Sequence, residues 1–322
     1  MGTRRFFGAV VTLLIPGAGH FAVGRPWRGL AWYGASLVSL LLLPVMAWMP
    51  LVFSLLLVRF GAAIDLYLLR HTRTVGWLRV VGLWVAALAV NFALMSGIRM
   101  YYLEAFTIPS SGMVPALQVG DRIFINKLAD AGVGDVVVFE NPCDPEVYYV
   151  QRIVAEAGDT VEVRCGALYV NGTAAPRELA GQCSYWDYED SLQRAFEVSC
   201  SEWRETAGDT TYSIVHDARY PQRTDHFDAL DFPDRELREC SDRRGRIVDG
   251  PIGEGPCAPS RHYIVPPDHV FVLGDNRANS SDSRAWGALP VANIKGVAFL
   301  VWWSSRPGGG GIQWDRLDHA IR

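Results

Sequence analysis

Lysine is almost missing from this chain: Lys127 and Lys295 stand against 28 arginines in 322 residues. Chemistry that needs a neutral amine as base is therefore confined to two positions, because arginine stays charged at any relevant pH. Carboxylates are missing from the first 102 residues apart from Asp65, and that stretch holds no lysine. Dominated by Leu, Val, Ala, Trp and Gly, it has the composition of a membrane segment and excludes a soluble surface. Cysteine is missing before Cys143, and all six (Cys143, Cys165, Cys183, Cys200, Cys240 and Cys257) come later. No Cys-x-x-Cys pair and no Cys/His cluster with ligand spacing occurs, which argues against a zinc site; no metal and no cofactor is expected. A net charge of −4 is too slight to imply nucleic acid or an acidic partner.

Three hydrophobic runs reach the roughly 20 apolar residues a bilayer span needs: Leu30 to Trp48, Leu51 to Leu69 and Val80 to Ile98. The first two are expected to form a hairpin turning near Pro50. Arg59 and Asp65 lie in the second run and are expected to face other helices or an interface, since a charge in lipid is costly. The stretch from Phe6 to Val23 is interrupted by Gly8, Pro16, Gly17 and Gly19. It reads as a re-entrant or interfacial segment, with a fourth span as the alternative. A cleavable signal peptide is disfavoured, because hydrophobic runs continue past any cleavage point.

Arginine placement sets the orientation, because cytoplasmic loops collect Lys and Arg. Arg4, Arg5, Arg25 and Arg28 precede the first run, and Arg70, Arg73 and Arg79 crowd the loop before the third, whereas the hairpin turn has none. The amino terminus and the 70–79 loop are thus expected inside a cell (inner or cytoplasmic) membrane. Everything after about Tyr101 is then periplasmic or extracellular. Six cysteines confined to that part agree, since disulfides persist outside. Their fifteen possible pairings stay open.

Beyond Phe106 short runs rich in Val, Ile, Tyr and Phe alternate with Gly, Asn and Asp, the pattern of strands and turns. Strands are expected at Arg122–Asn126, Asp135–Glu140, Tyr148–Val154, Thr160–Arg164, Ala167–Val170 and Val270–Leu273. Between Gly172 and Arg261 charge is dense, four of the six cysteines occur, and Trp186, Trp203, Tyr212 and Phe227 argue for a packed lobe over a disordered loop. The Pro307-Gly-Gly-Gly-Gly311 stretch reads as a flexible exit. The expected architecture is N-terminal transmembrane helices followed by a mostly-β external domain with an inserted smaller lobe. Its parts are a membrane domain (1–100), a β core (101–171 and 262–305), an inserted lobe (172–261) and a tail (306–322).

Four blocks within residues 103 to 304 carry a family resemblance. The first is Phe106-Thr-Ile-Pro-Ser-Ser-Gly-Met-Val-Pro-Ala-Leu-Gln-Val-Gly-Asp121, the second Gly134-Asp-Val-Val-Val-Phe139, and the third Tyr149-Val-Gln-Arg-Ile-Val154 with Gly158-Asp159. The fourth and most specific is Gly274-Asp-Asn-Arg-Ala-Asn-Ser-Ser-Asp-Ser-Arg-Ala-Trp-Gly-Ala-Leu-Pro290. In this order they resemble the type I signal peptidases, membrane-bound serine endopeptidases with a Ser/Lys dyad. That resemblance implies a sheet-rich fold with a variable insertion, and acyl transfer in which a neutral lysine takes the serine proton.

The resemblance also locates the site. The attacking serine precedes the Met of a Pro-Ser-x-Ser-Met pattern, and that residue here is Gly112. The lysine precedes the Arg of the third block, and here it is Gln151. Ser110 matches an oxyanion-hole hydroxyl, with a plain turn residue after Pro109 as the alternative, and the Gly112 amide keeps the second donor. Phe106, Ile108 and Val150 match the lining of shallow pockets for small substrate residues; a plain β-core role is the alternative. Ser280 matches the serine that contacts the lysine, and Asp282 and Arg284 match a supporting pair, while Asp275, Asn276 and Arg277 read as turn and scaffold. Ser111 is an alternative nucleophile by exchange with Gly112, but one step along an extended chain reverses side-chain direction. It is expected to be a turn hydroxyl bonded to nearby backbone. A relocated Ser-His site would have to draw on His216, His226, His262, His269 or His319.

Three functional readings follow. The first is a non-cleaving pseudoenzyme that binds signal or leader segments of exported proteins, or a partner in the secretion or surface-assembly apparatus. The others are an active signal peptidase with rearranged chemistry and a structural membrane subunit whose cleft is silent.

Overall fold

The computed structural model describes residues 2–41, 48–69, 76–189, 194–217 and 231–321, except 234–239, 241–244, 251–257, 307 and 309. Arg70, Arg73, His226, Phe227 and Cys257 lie outside these residues, as do residues 42–47 of the first expected span. The chain forms two compact units, Met1–Tyr101 and Tyr102–Arg322.

The first unit is helical: α1 (Gly2–Leu14), α2 (Ala18–Ala22), α3 (Pro26–Leu41), α4 (Trp48–Leu68) and α5 (Trp77–Tyr101). The break between α1 and α2 falls at the glycines. Gly17 adopts φ +84, a conformation that favours glycine, and a Cβ on Gly19 would collide with the Gly8 carbonyl. Pro50 lies inside the first turn of α4 and not in the hairpin turn expected there. That correction has a simple cause: proline is tolerated in a first helical turn, where its missing N–H has no partner to lose. Asp65 does face other segments. Its carboxylate accepts from Arg28 (2.9 Å) and Trp32 (2.9 Å) and meets His20 Nε2 at 3.0 Å, tying α2, α3 and α4 together. Among the described residues one helix, Val81–Tyr101, is long and apolar enough to cross a membrane.

The second unit is mostly β. Its strands are β1 (Leu103–Thr107), β2 (Asp121–Asn126), β3 (Val136–Asn141), β4 (Asp144–Ala155), β5 (Thr160–Arg164), β6 (Ala167–Val170), β7 (Thr173–Ala174) and β8 (Arg177–Glu189). There follow β9 (Arg194–Ala207), β10 (Thr210–Asp217), β11 (Arg246–Asp249), β12 (Arg261–Ile264), β13 (His269–Leu273), the short helix α6 (Ser283–Trp286), β14 (Leu289–Pro290), β15 (Ile294–Ser304) and β16 (His319–Ala320). The largest sheet runs β1-β2-β15-β3-β4-β13-β14, with β16 added on β15; a second runs β11-β12-β5-β6-β7, and a third runs β10-β9-β8.

Side-chain alternation explains the core. Ile123 and Ile125 of β2 turn inward while Arg122 is exposed. On β3, buried on both faces, Val136 and Val138 join a cluster with Ile108, Met113 and Leu117, whereas Val137 and Phe139 join another with Ile153, Val272 and Trp286. On β8 the half-buried residues Cys183, Tyr185 and Asp187 alternate with exposed Ser184 and Trp186. Disulfides join Cys143 to Cys240 and Cys183 to Cys200, and Cys165 is disulfide-bonded too.

The C-terminal stretch is docked, a correction to the expected tail. Beyond the glycines, β16 pairs with β15. The buried Arg316 donates through Nε (3.0 Å) and NH2 (2.6 Å) to the fully buried Asp121, and through NH2 to the Ala116 carbonyl at 2.9 Å. Glycines mark where the chain turns, but a carboxylate 195 residues away leaves no local signal. Arg316→Ala is expected to cost about 3 kcal/mol by leaving a buried carboxylate without its cation. Faster proteolysis within 306–311 and a lower denaturant midpoint check this.

Candidate active site

The segment between β1 and β2 is pinned at its neck by Ile108 N–H to Asp121 O (2.8 Å) and Gly120 N–H to Ile108 O (2.9 Å). Within it Met113, Val114 and Leu117 are buried anchors that leave Ser110 exposed and Gly112 at intermediate burial. The loop after β13 clamps it from the other side. The Asn276 backbone N–H donates to the Gly112 carbonyl (3.0 Å) and its side-chain amide to the Ser111 carbonyl (3.1 Å). Gly274 makes this approach possible: a Cβ there would lie 2.6 Å from the Gly112 carbonyl oxygen and would overlap the Ser280 hydroxyl.

Gln151, on β4, completes the meeting of three segments. It is 4% exposed, and its Nε2 donates to the Ser281 carbonyl at 2.7 Å and to Ser280 Oγ at 3.3 Å. Its Oε1 is buried without a partner among the described residues. The Ser281 carbonyl can only accept, so it fixes which end of the amide faces it. The pocket at 151 thus offers acceptors to a donor head and leaves the amide oxygen unpaired among the described residues. At Gly112 a Cβ would lie 4.0 Å from both Ser110 Oγ and Ser280 Oγ and 3.5 Å from the Asn279 carbonyl, and its φ is not left-handed. A side chain fits there without strain.

The other sequence-predicted residues fall into place around this centre. Phe106, Ile108 and Val150 meet in one apolar cluster with Met113, Ile108 buried and the other two half-buried. Arg284 grips Asp282 through Nε (2.8 Å) and NH2 (2.7 Å), and Asp282 also caps α6 and accepts from Gly274 N–H at 3.1 Å. Ser111 departs from expectation: it is 2% exposed, and its hydroxyl accepts from the Asn279 side chain (3.0 Å) and not from backbone. Asn279 lies far off in sequence, and only the fold brings it near. Lys127 pairs with Glu104 at 2.6 Å, and Lys295 pairs with Glu140 at 2.5 Å. The Glu140 hydrogen bond holds Lys295 above its ordinary pKa, the wrong direction for a base.

Sequence reasoning missed several residues here. Tyr148 packs edge-on to Phe106 (5.4 Å between centroids) and is 48% exposed. Its position two residues before Val150, hence on the same strand face, was the available signal. Behind the site Arg152 donates to Asp275 through Nε (2.8 Å) and NH2 (2.6 Å) and lies 4.1 Å from the ring centroid of Tyr212. Burial opposes the Arg152 charge, but Asp275 outweighs it and raises the pKa. His216 of β10 is held well below the ordinary imidazole pKa by burial and then by Arg277, Arg177 and Arg284, so it folds neutral. Only the unfolded chain binds that proton, so stability is full above about pH 6.5 and falls below it by up to about 1.4 kcal/mol per pH unit. Denaturant midpoints at pH 7 and pH 5 should fall less in His216→Gln than in the parent.

The family model for signal peptidase, peptidase S26, matches residues 81–303, which include all four blocks. The chain belongs to this family. Signal peptidase I of Aquifex aeolicus is 31% identical over 242 residues, covering 71% of this chain and 84% of that protein. Signal peptidase I of Pseudomonas aeruginosa is 31% identical over 234 residues, covering 64% and 67%. A solved signal peptidase I from Enterococcus faecalis overlays loosely, at 20% identity and TM-score 0.24, covering 52% of this chain and 97% of that one. Membership of the family, with residues 81–303 matched, gives the mostly-β unit a signal-peptidase-like fold, and signal peptides are the substrate class that the S26 family implies.

Proposed function

We propose that this S26 protein binds leader segments of exported proteins at a membrane surface without cleaving them. The observation that carries the reading is the centre itself. Gly112 supplies no hydroxyl, and Gln151, whose amide is bonded to Ser280 and Ser281, supplies no base. The oxyanion hole, Ser110 Oγ with the Gly112 N–H, is retained in this reading and polarises a peptide carbonyl without forming a covalent intermediate. Ser280, with the Asp282–Arg284 pair behind it, supports the site. Because β1 is a sheet edge, an extended peptide can add to it as a strand. Its small side chains would then enter the hollow of Phe106, Ile108 and Val150. Membrane attachment is through α5 together with α3 and α4, with the amino terminus inside and the β unit outside. Within residues 172–261, strands β8–β10 act as a lobe inserted in the β core, while β7 and β11 join the sheet of β5, β6 and β12.

The test uses purified full-length protein in detergent and a preprotein with small residues before its scission point. A photocrosslinker at Phe106 or Val150 is expected to capture the leader while the preprotein stays intact. Absence of capture at both positions would favour a silent cleft. The rival reading, an active peptidase using Ser111, draws on how much of the frame is retained. It predicts cleavage that Ser111→Ala abolishes, whereas a hydroxyl buried against Asn279 predicts that Ser111→Ala changes nothing.

A further inference from the structure

The three strands β8–β10 reach every segment that builds the centre. Glu205 of β9 forms a bidentate ion pair with Arg277, three residues before Ser280, and accepts from Tyr212 Oη at 2.8 Å. Tyr212 of β10 stacks on Arg152, the neighbour of Gln151. Glu205, Arg277 and Tyr212 are all at most 5% exposed. From the front, the Asn279 amide that holds Ser111 also donates to Asp187 of β8 at 3.1 Å, and the Cys183–Cys200 disulfide packs on Val114.

These contacts close a ring. On one face of β4, Gln151 meets Ser280; on the other, Arg152 is joined through Tyr212, Glu205 and Arg277 to the same loop. The only members outside the motif blocks are Glu205 and Tyr212. A surface decoration has no use for a fully buried carboxylate, whose desolvation is offset only by complete pairing. We infer that the inserted sheet is the clamp that sets the spacing of the centre, with Glu205 and Tyr212 as positioning residues. Loop 274–280 is tied to β4 through Asp275 and Arg152 and to β10 through Val215, whose N–H donates to the Asp275 carbonyl (2.9 Å) and whose carbonyl accepts from Arg277 N–H (3.0 Å), and the Arg277 side chain adds the buried tie to β9. Glu205 fixes that arginine, and Tyr212 aligns Glu205 while covering Arg152.

Full-length protein in detergent carrying Tyr212→Phe or Glu205→Gln tests this by hydrogen exchange. Tyr212→Phe keeps the stacking and loses only the hydroxyl, so it folds even if Glu205→Gln does not. Exchange in residues 109–114 and 274–281 is expected to rise about threefold in Tyr212→Phe and about tenfold or more in Glu205→Gln, with β2 unchanged. Leader capture at Val150 should fall in step; this last readout alone rests on the leader-binding reading. If the parent captures no leader, that reading fails while the exchange pattern still decides the clamp. A uniform rise across the unit, no rise, or a local rise with undiminished capture would each overturn the positioning role.

Discussion

The double variant Gly112→Ser with Gln151→Lys is expected to cleave a preprotein about a thousandfold or more above the parent, since a positioned nucleophile and base together supply gains of that order. Room exists at both positions. A Cβ at 112 meets only ordinary contacts, 4.0 Å from Ser280 Oγ. At 151 the Ser281 carbonyl and Ser280 hydroxyl already accept hydrogen bonds, and the unpartnered Oε1 of the present amide is what a lysine would remove. A lysine there would be about as buried as Gln151, and burial pushes an amine pKa down towards neutrality, as a general base requires. Cleavage should therefore rise with pH as that amine loses its proton. Each single substitution is expected to stay near the parent, because nucleophile and base act as a unit. Measured release of mature protein in all four combinations checks this. A parent that already cleaves would sink the non-cleaving proposal, and a silent double variant would show that the rest of the frame has drifted.

Asp275→Ala carries the second large effect. Arg152 and Asp275 are each 1% exposed at the side chain and joined at 2.6 Å. Removing the carboxylate leaves a guanidinium in the interior that keeps, among the described residues, the Gly134 carbonyl (2.7 Å) and the Tyr212 ring. The expected loss is about 3–5 kcal/mol. Replacing both partners, as Arg152→Met with Asp275→Leu, should recover most of it, because the cost comes from the unpaired charge. Urea midpoints of the two variants against the parent make the comparison. A single variant as stable as the parent would mean that the guanidinium reaches water.

Much of the fold was legible residue by residue. The expected strand Thr160–Arg164 appears with those bounds, and the expected run from Tyr148 to Val154 lies within β4. Valine-rich alternation and flanking Gly-Asp pairs are local signals, and local signals survive in one dimension. The long strands β8 and β9 were not resolved within the charge-dense insertion, because their exposed faces carry Glu, Arg and Ser that read equally well as loop. Pro50 and the 307–311 stretch, of which residues 307 and 309 lie outside the described set, read in sequence as punctuation. Proline is also compatible with a first helical turn, and glycines do not say whether the chain beyond them docks.

By itself the sequence determined the family and the strand positions of the core, and it put Gly112 and Gln151 forward as the residues at the expected nucleophile and base positions. Tertiary structure alone decided where buried charges find partners: Asp121 with Arg316, Asp275 with Arg152 and Glu205 with Arg277. It also decided that the Ser111 hydroxyl faces Asn279 and that strands β8–β10 contact the motif segments through Glu205, Tyr212 and Asp187. The reason is physical. Motifs are spacings along a chain, whereas a buried charge must be neutralised by whatever opposite charge the folded interior brings within hydrogen-bonding distance, here from 72 to 195 residues away.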